Sequence, residues 1–278
     1  MKIIFSRKGF DSQYGGVPSP ILPDGTLIPL PIPSRYGRPL FDIQSSVGPL
    51  HRLVSDLTGG RIKPDTLVHL DPDLQRSSIP RLAGWRPSLG QVSAAQGHLA
   101  KQGVGPGDLF LFFGWFRQAK MIGERWSYVP GAPDIHSLFG WLQIGTAIDP
   151  CAPDCAERTP WLRDHPHVAF ADTIGKGNTI YIGAKSMLGR KFPGAGVFPH
   201  WAAHLQLTAP GHPRSLWRVP DWMDPFASEL KLSYHTRASR WSRSGAALHL
   251  QTVAKGQEFV VDTNGCPAAQ DWLISLMR

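Results

Sequence analysis

The sequence predicts an α+β fold: a mixed, mainly antiparallel sheet with flanking helices and long ordered loops. Three observations predict it. Two runs, residues 109–113 and 139–148, are so apolar that both faces of each strand must be covered. Helical spacing of apolar residues recurs in only a few segments, and these do not alternate regularly with strands, which disfavours a doubly wound fold. Gly and Pro are abundant, 29 and 26 of 278 residues, yet follow no G-X-Y period, so the chain is loop-rich without being collagen-like. A hydrophobic fraction of 42 % is enough to build a core and excludes a disordered chain. No apolar run reaches the roughly 18 residues of a membrane-spanning helix. The expectation is one domain over 1–278, with a candidate sub-boundary near 150–165.

Taken in order, Met1 to Phe5 reads as a first strand running into the polar Ser6-Arg7-Lys8. Its apolar part is too short for a signal peptide. Residues 11–40 carry so many prolines that they read as a long ordered loop with extended segments, with Asp24-Gly25 as a tight turn. Leu50, Leu53, Val54 and Leu57 share one face of a short helix over 49–58. A strand follows at 67–70, ending in Asp71-Pro72-Asp73. Residues 88–102 read as a helix, with Ser88 as N-cap, Leu89, Val92, Gln96 and Leu99 along one side, and Gly103 as its stop. Strands at 109–113 and 139–148 flank a wide connection over 114–137. Residues 179–182 form a short strand, 248–253 and 258–261 a hairpin about Lys255-Gly256, and 267–277 a closing helix.

The formal charge of +8 favours an anionic partner without identifying one. Its denser parts are Arg35 with Arg38, the stretch 76–86, and Arg237, Arg240 and Arg243 interleaved with Tyr234 and Trp241. Cations with aromatics are the two ingredients of single-strand or flipped-base recognition. The three cysteines are odd in number and none lies in a CxxC pair, which favours a reducing cytoplasm over a secreted disulfide scaffold. Cys151 and Cys155 with His165 and His167 depart from zinc-finger spacing.

Four constellations could carry chemistry. In the first, Arg7, Lys8 and Asp11 lie where a strand end opens to solvent, followed by Tyr14, Gly15-Gly16 and Ser19. Arg7 suits bidentate phosphate or base recognition and Lys8 supplies a point charge, although a surface turn pairing its own ions would look the same. In the second, alternation puts His69 and Asp71 on one face of a strand. A His-x-Asp pair can supply two ligands of a facial-triad site for a divalent metal such as Fe(II), with His136, His165, His200 or His204 as candidate third ligands. The same pair could handle protons without a metal, and Asp-Pro-Asp is also ordinary turn chemistry. The third constellation is Gly114-Trp115 with Gly140-Trp141 on the partner strand. If Phe113 and Phe139 point inward, the two tryptophans are exposed candidates for stacking on a base. Aromatic strands are more often simply core. The fourth is Gly194 to Phe198, beside Arg190-Lys191 and ahead of His200 and His204, a loop that could cradle phosphate but lacks a P-loop ending. No Gly-x-Ser-x-Gly elbow is present.

The opening stretch MKIIFSRKGFDSQYGGVPSPILPDGTLIPLPIP, with GVGPGDLFLFFGWFR and LFGWLQIG later, resembles the nucleotide modification associated domain 3 family over nearly the whole chain. The matching opening residues are Arg7, Lys8, Gly9, Asp11, Gly16, Pro18, Ser19, Pro20 and Gly25. The resemblance implies a role in phage or bacterial base modification, with DNA or a nucleotide and other DNA-modification enzymes as partners. It transfers no catalytic role to any residue. The leading expectation is an enzyme acting on a nucleic-acid base or nucleotide. Asp11, His69 and Asp71 are placed near the reacting atom, and Arg7, Lys8, Tyr14, Ser19, Trp115 and Trp141 against substrate. The alternatives are a non-catalytic module that binds modified bases in DNA, and an enzyme of a small anionic metabolite.

Overall fold

The computed structural model describes residues 1–189, 191–227, 230–253, 258–263 and 265–278. Its centre is a mixed sheet in the spatial order Lys231–Leu232, Phe259–Asp262, Lys2–Arg7, Leu109–Ile122, Ile135–Ile148, Thr179–Gly183, Ser88–Gln91. Lys2–Arg7 runs parallel to Leu109–Ile122 with Ile3 opposite Leu109, and Ser19–Ile21 joins the same long strand further along, also in parallel. The other pairings along the main path are antiparallel. The sheet is thus mixed and mainly antiparallel, with helices against it. Strands from either side of residues 150–165 lie in this one sheet, because Thr179–Gly183 pairs with Ile135–Ile148.

The unbroken apolar run from Leu109 to Phe113 is explained by cover on both faces. Leu109, Leu111 and Phe113 join Ile3, Phe5, Trp217 and Leu273 on one side. Phe110, Phe112 and Phe116 join Ile4, Leu99, Phe139 and Tyr181 on the other. The first side is closed by the helix Pro267–Leu276 and a small sheet of Leu216–Val219, Ala247–Gln251 and Trp241–Ser244. The second is closed in part by the helix Ser93–Lys101, through Leu99. Each fully buried Phe of these rows contributes about 1.5–3 kcal/mol. A third cluster forms around the helix Leu50–Thr58, whose Leu50, Leu53, Val54 and Leu57 meet Phe10, Leu30, Leu40, Ile43 and Val68. The Pro-rich opening is ordered because its apolar residues fill this cluster.

Three elements differ from expectation. Residues 88–102 do not form one helix: Ser88–Gln91 is a strand, Ser93 has a φ of 57°, and the helix spans Ser93–Lys101. Leu89 and Leu99 are buried as the helical pattern requires, but the open edge of Thr179–Gly183 takes up the first four residues. Residues 114–137 are largely continuations of two 14-residue strands, Leu109–Ile122 and Ile135–Ile148, with Arg125–Tyr128 paired beyond them. The expected hairpin over 248–261 does not form. Ala247–Gln251 pairs in the small sheet and Phe259–Asp262 with Lys2–Arg7, while the expected turn at Lys255-Gly256 lies outside the described residues.

Candidate metal centre

The strand Ser88–Gln91 ends the main sheet, so its outer backbone groups need partners. Asp73 exchanges two backbone hydrogen bonds with Ser88, at 2.9 and 3.0 Å. Two residues earlier in the antiparallel direction, the Asp71 carboxylate accepts from the Gly90 N–H at 3.0 and 3.1 Å, one bond to each oxygen. The side chain of Asp71 thereby stands in for a strand carbonyl and is fixed deep in the protein. Asp73 is locked separately, by Arg81 at 2.6 Å to Oδ2 and by the Trp85 indole N–H at 3.2 Å.

Around Asp71 stand three histidines. His69 closes the strand Leu67–His69, and its Nε2 lies 3.6 Å from Asp71 Oδ2. His167, in the short helix Pro166–Ala169, places its Nε2 3.6 Å from the same oxygen. The ligand atoms of His69, Asp71 and His167 all lie within 4.8 Å of one another. His165 Nε2 is 3.9 Å from Asp71 Oδ1, but its Nδ1 accepts the His167 backbone N–H at 3.2 Å. When neutral, His165 therefore carries its proton on Nε2 and faces Asp71 as a donor, not as a lone pair for a metal.

His167 is held the opposite way. Its Nδ1 lies 2.5 Å from Asn178 Oδ1, and Asn178 Nδ2 donates to the His167 carbonyl at 2.8 Å. A ring proton on Nδ1 toward the amide oxygen leaves the Nε2 lone pair facing Asp71, as metal-ligating histidines are commonly oriented. Gly90 is necessary to this arrangement, because a Cβ there would run into the His167 ring.

Electrostatics agree with a metal-ready donor set. Burial pushes the His165 imidazole down to about 3, against the attraction of Asp71, and burial likewise lowers His167. Both rings are therefore neutral at pH 7. Burial opposes charge on Asp71, but the facing His69 imidazole with His165 and His167 outweighs it and holds the carboxyl below its usual range. A neutral His167 imidazole and an ionised Asp71 carboxylate are the protonation states in which these two ligands bind a divalent cation. His69 Nε2 is buried without a hydrogen-bond partner, which a cation would supply.

A cleft of about 330 Å³ opens beside Asp71. Leu30, Ile43, Leu74 and Phe139 give it apolar walls, and Gln44, Ser45, Gln75 and Ser78 bring amide and hydroxyl groups. Lys8 is the one cationic side chain among its described lining residues. Its Nζ is 3.4 Å from Glu258 Oε1, which also accepts from the Gln91 side chain, and it lies near enough to His167 to oppose that ring's protonation.

The other sequence-derived candidates are distributed as follows. Arg7 and Lys8 point to opposite faces of the sheet: Lys8 to Glu258 and the cleft, Arg7 to Asp11 at 3.5 Å. Asp11 serves its own turn, accepting from the backbone of Gln13 and Tyr14 at 2.8 and 2.7 Å, and does not join His69 and Asp71. Tyr14 is exposed, and Ser19 is buried with its Oγ accepting from Leu30 N at 3.0 Å. The tryptophans are not at exposed strand ends. Trp141 is 8 % exposed, donates to Pro193 O at 3.0 Å and lies against Phe198. Trp115 is 9 % exposed, with the Arg214 guanidinium 4.1 Å above its ring. Of the expected third ligands, His136 is bonded to Trp217, His200 and His204 are exposed, and His165 is turned as described. His167, which the sequence groups only with Cys151, Cys155 and His165, takes the third place. Among the described residues neither cysteine joins a metal-ligand group. Ala195–Val197 is a strand on Ile135–Ile148, so its glycine-rich run is spent on close packing against Trp141, and Arg190 lies outside the described residues.

The fold and this site define an α+β protein with a two-histidine, one-carboxylate cluster whose Asp71 lines a cleft. Residues 2–262 match the model of the nucleotide modification associated domain 3, and the chain belongs to that family. The family's name associates it with nucleotide modification. No curated protein and no solved structure gives a significant match. No described helix is long and apolar enough to cross a membrane.

Proposed function

We propose that this chain is a metal-dependent enzyme that modifies a nucleic-acid base or nucleotide, acting in the cytoplasm alongside other enzymes of a DNA-modification pathway. The observation that carries this reading is the His69–Asp71–His167 cluster, with its donor atoms within 4.8 Å of one another and Asp71 lining the cleft. Two histidines and a carboxylate leave coordination positions open, the pattern of non-haem Fe(II) sites, and such an ion would supply redox or Lewis-acid chemistry there. His69, Asp71 and His167 would hold it. Asn178 and Gly90 fix the ligands by the hydrogen bond and close approach already described.

The cleft favours a base over a highly charged group. Apolar walls suit the faces of a heteroaromatic ring, and the amides and hydroxyls of Gln44, Ser45, Gln75 and Ser78 can pair with its edges. Lys8, braced by Glu258, is placed to meet one negative group of the substrate or co-substrate. Metal analysis of the purified protein, beside mass spectrometry of nucleosides from cells expressing it, tests the proposal. Bound iron with a new nucleoside that disappears in His69→Ala and Asp71→Asn supports it. A protein with no bound metal and an unaltered nucleoside profile overturns it.

A further inference from the structure

A second polar cluster lies on the other face of the sheet, and the cleft does not use it. Strand register assembles it. Arg7 is opposite Phe113, Trp115 is two residues further along the same strand, and His136 is the direct cross-strand partner of Trp115. Residues at these positions share a face of the sheet. Arg214 lies over Trp115, its guanidinium 4.1 Å from the centre of the ring.

Two donors in this cluster have no acceptor. His136 Nδ1 accepts the Trp217 indole N–H at 3.0 Å, which fixes the imidazole proton on Nε2. That Nε2 is buried and unpartnered, in a residue only 5 % exposed. The Trp115 Nε1–H is buried and unpartnered too. Buried donors are rarely left unpaired, and two on neighbouring strands beside two guanidinium groups define an environment that an anion would complete. Asp11 lies 3.5 Å from Arg7 on the same side. His136 is held neutral by burial, reinforced by Arg7 and Arg214, and so keeps a single N–H to offer.

We propose that Arg7, Trp115, His136 and Arg214 form a phosphate-binding site, separate from the metal cluster and across the sheet from the cleft. Arg7 and Arg214 supply the charge, and His136 and Trp115 supply one N–H each. The phosphate belongs either to a nucleotide, as a monoester, or to a nucleic-acid backbone, as a diester. Since Arg7 and Lys8 are consecutive, the site and the cleft flank the same strand end.

Calorimetric titration at low ionic strength, with metal removed by chelation, tests this using three probes: inorganic phosphate, a nucleoside monophosphate and a dinucleotide whose only phosphate is a diester. Saturable binding of at least one probe is expected, weakened about tenfold or more in Arg214→Gln, as loss of a charged donor implies. Trp115→Phe keeps the ring but removes the N–H and should weaken binding severalfold. The ester that binds more tightly identifies the source of the phosphate. Mn(II) affinity measured on Arg214→Gln should equal that of the parent, so failure of this site and failure of the metal centre are told apart. Absence of saturable binding by all three probes overturns the proposal. So does unchanged affinity in Trp115→Phe, the deciding variant should Arg214→Gln not fold.

Discussion

Gly90→Ala is the smallest change that strikes the proposed metal centre without replacing a ligand. The added Cβ would stand 2.5 Å from His167 Nε2, the proposed donor atom, and closer still to the adjoining ring carbons. Ordinary carbon contacts need about 3.5 Å and the nearest ring carbon would be at 2.1 Å, so the ring must retreat by about 1.4 Å or the strand must shift. Neither moves freely: Asn178 holds the far side of the His167 ring, and Gly90 N–H is bonded to both oxygens of Asp71. Overpacking of this kind costs about 1–3 kcal/mol of stability. Displaced ligand orientation typically costs about 10–100-fold in metal affinity, or about 1.4–2.7 kcal/mol. Mn(II) titration followed by the loss of free-ion EPR signal reads the affinity, and thermal unfolding reads the stability. Gly97→Ala is the control, in the helix Ser93–Lys101 with no atom within 4 Å of a new Cβ, and should stabilise by up to about 1 kcal/mol. Wild-type Mn(II) affinity in Gly90→Ala would refute the reasoning that places His167 Nε2 at the ion.

Asn178→Ala frees the His167 ring and is expected to lower Mn(II) affinity about 10–100-fold, while Asn178→Asp, which keeps an acceptor for Nδ1–H, should retain more of it; the same titration decides. Arg81→Ala leaves the buried Asp73 carboxylate unpaired and should cost about 3–5 kcal/mol in urea unfolding. Burial already raises the Asp73 pKa against the pull of Arg81, so the loss should shrink as the pH falls and the carboxyl takes up a proton. His136 is pushed down to about 3 by burial, with Arg7 and Arg214 adding to the effect. The unfolded chain then binds the proton that the folded one refuses, so this residue makes stability rise with pH between about 3 and 6.5, by about 1.4 kcal/mol per unit. Unfolding at pH 4.5 to 6.5 should show a slope smaller by about that amount in His136→Asn.

Much of the sheet was legible because its strands are covered on both faces, and an apolar run such as 109–113 fits little besides a strand buried on both sides. The His69–Asp71 pair was legible for a related reason, since alternation alone puts the two on one side. His167 was not. It lies 96 positions beyond Asp71 and reaches it only because Ser88–Gln91 pairs with Thr179–Gly183, bringing Gly90 under its ring. The one local signal was His165-Pro166-His167, two histidines about a proline that can start a helix. Arg7 and Lys8 illustrate the reverse: adjacent in sequence, they are sent to opposite faces by the pleat. Trp115 and Trp141 failed as exposed platforms because the same apolar cover that makes their strands recognisable also buries them.

Stoichiometric metal binding tests the account most directly. Protein purified without added metal, then titrated anaerobically with Fe(II), should take up about one ion per chain. Asp71→Asn and His167→Ala should each lose that ion while keeping the cooperative unfolding of the parent. A parent protein that binds no divalent ion, or variants that bind it as tightly as the parent, would contradict the assignment of His69, Asp71 and His167 as a metal centre.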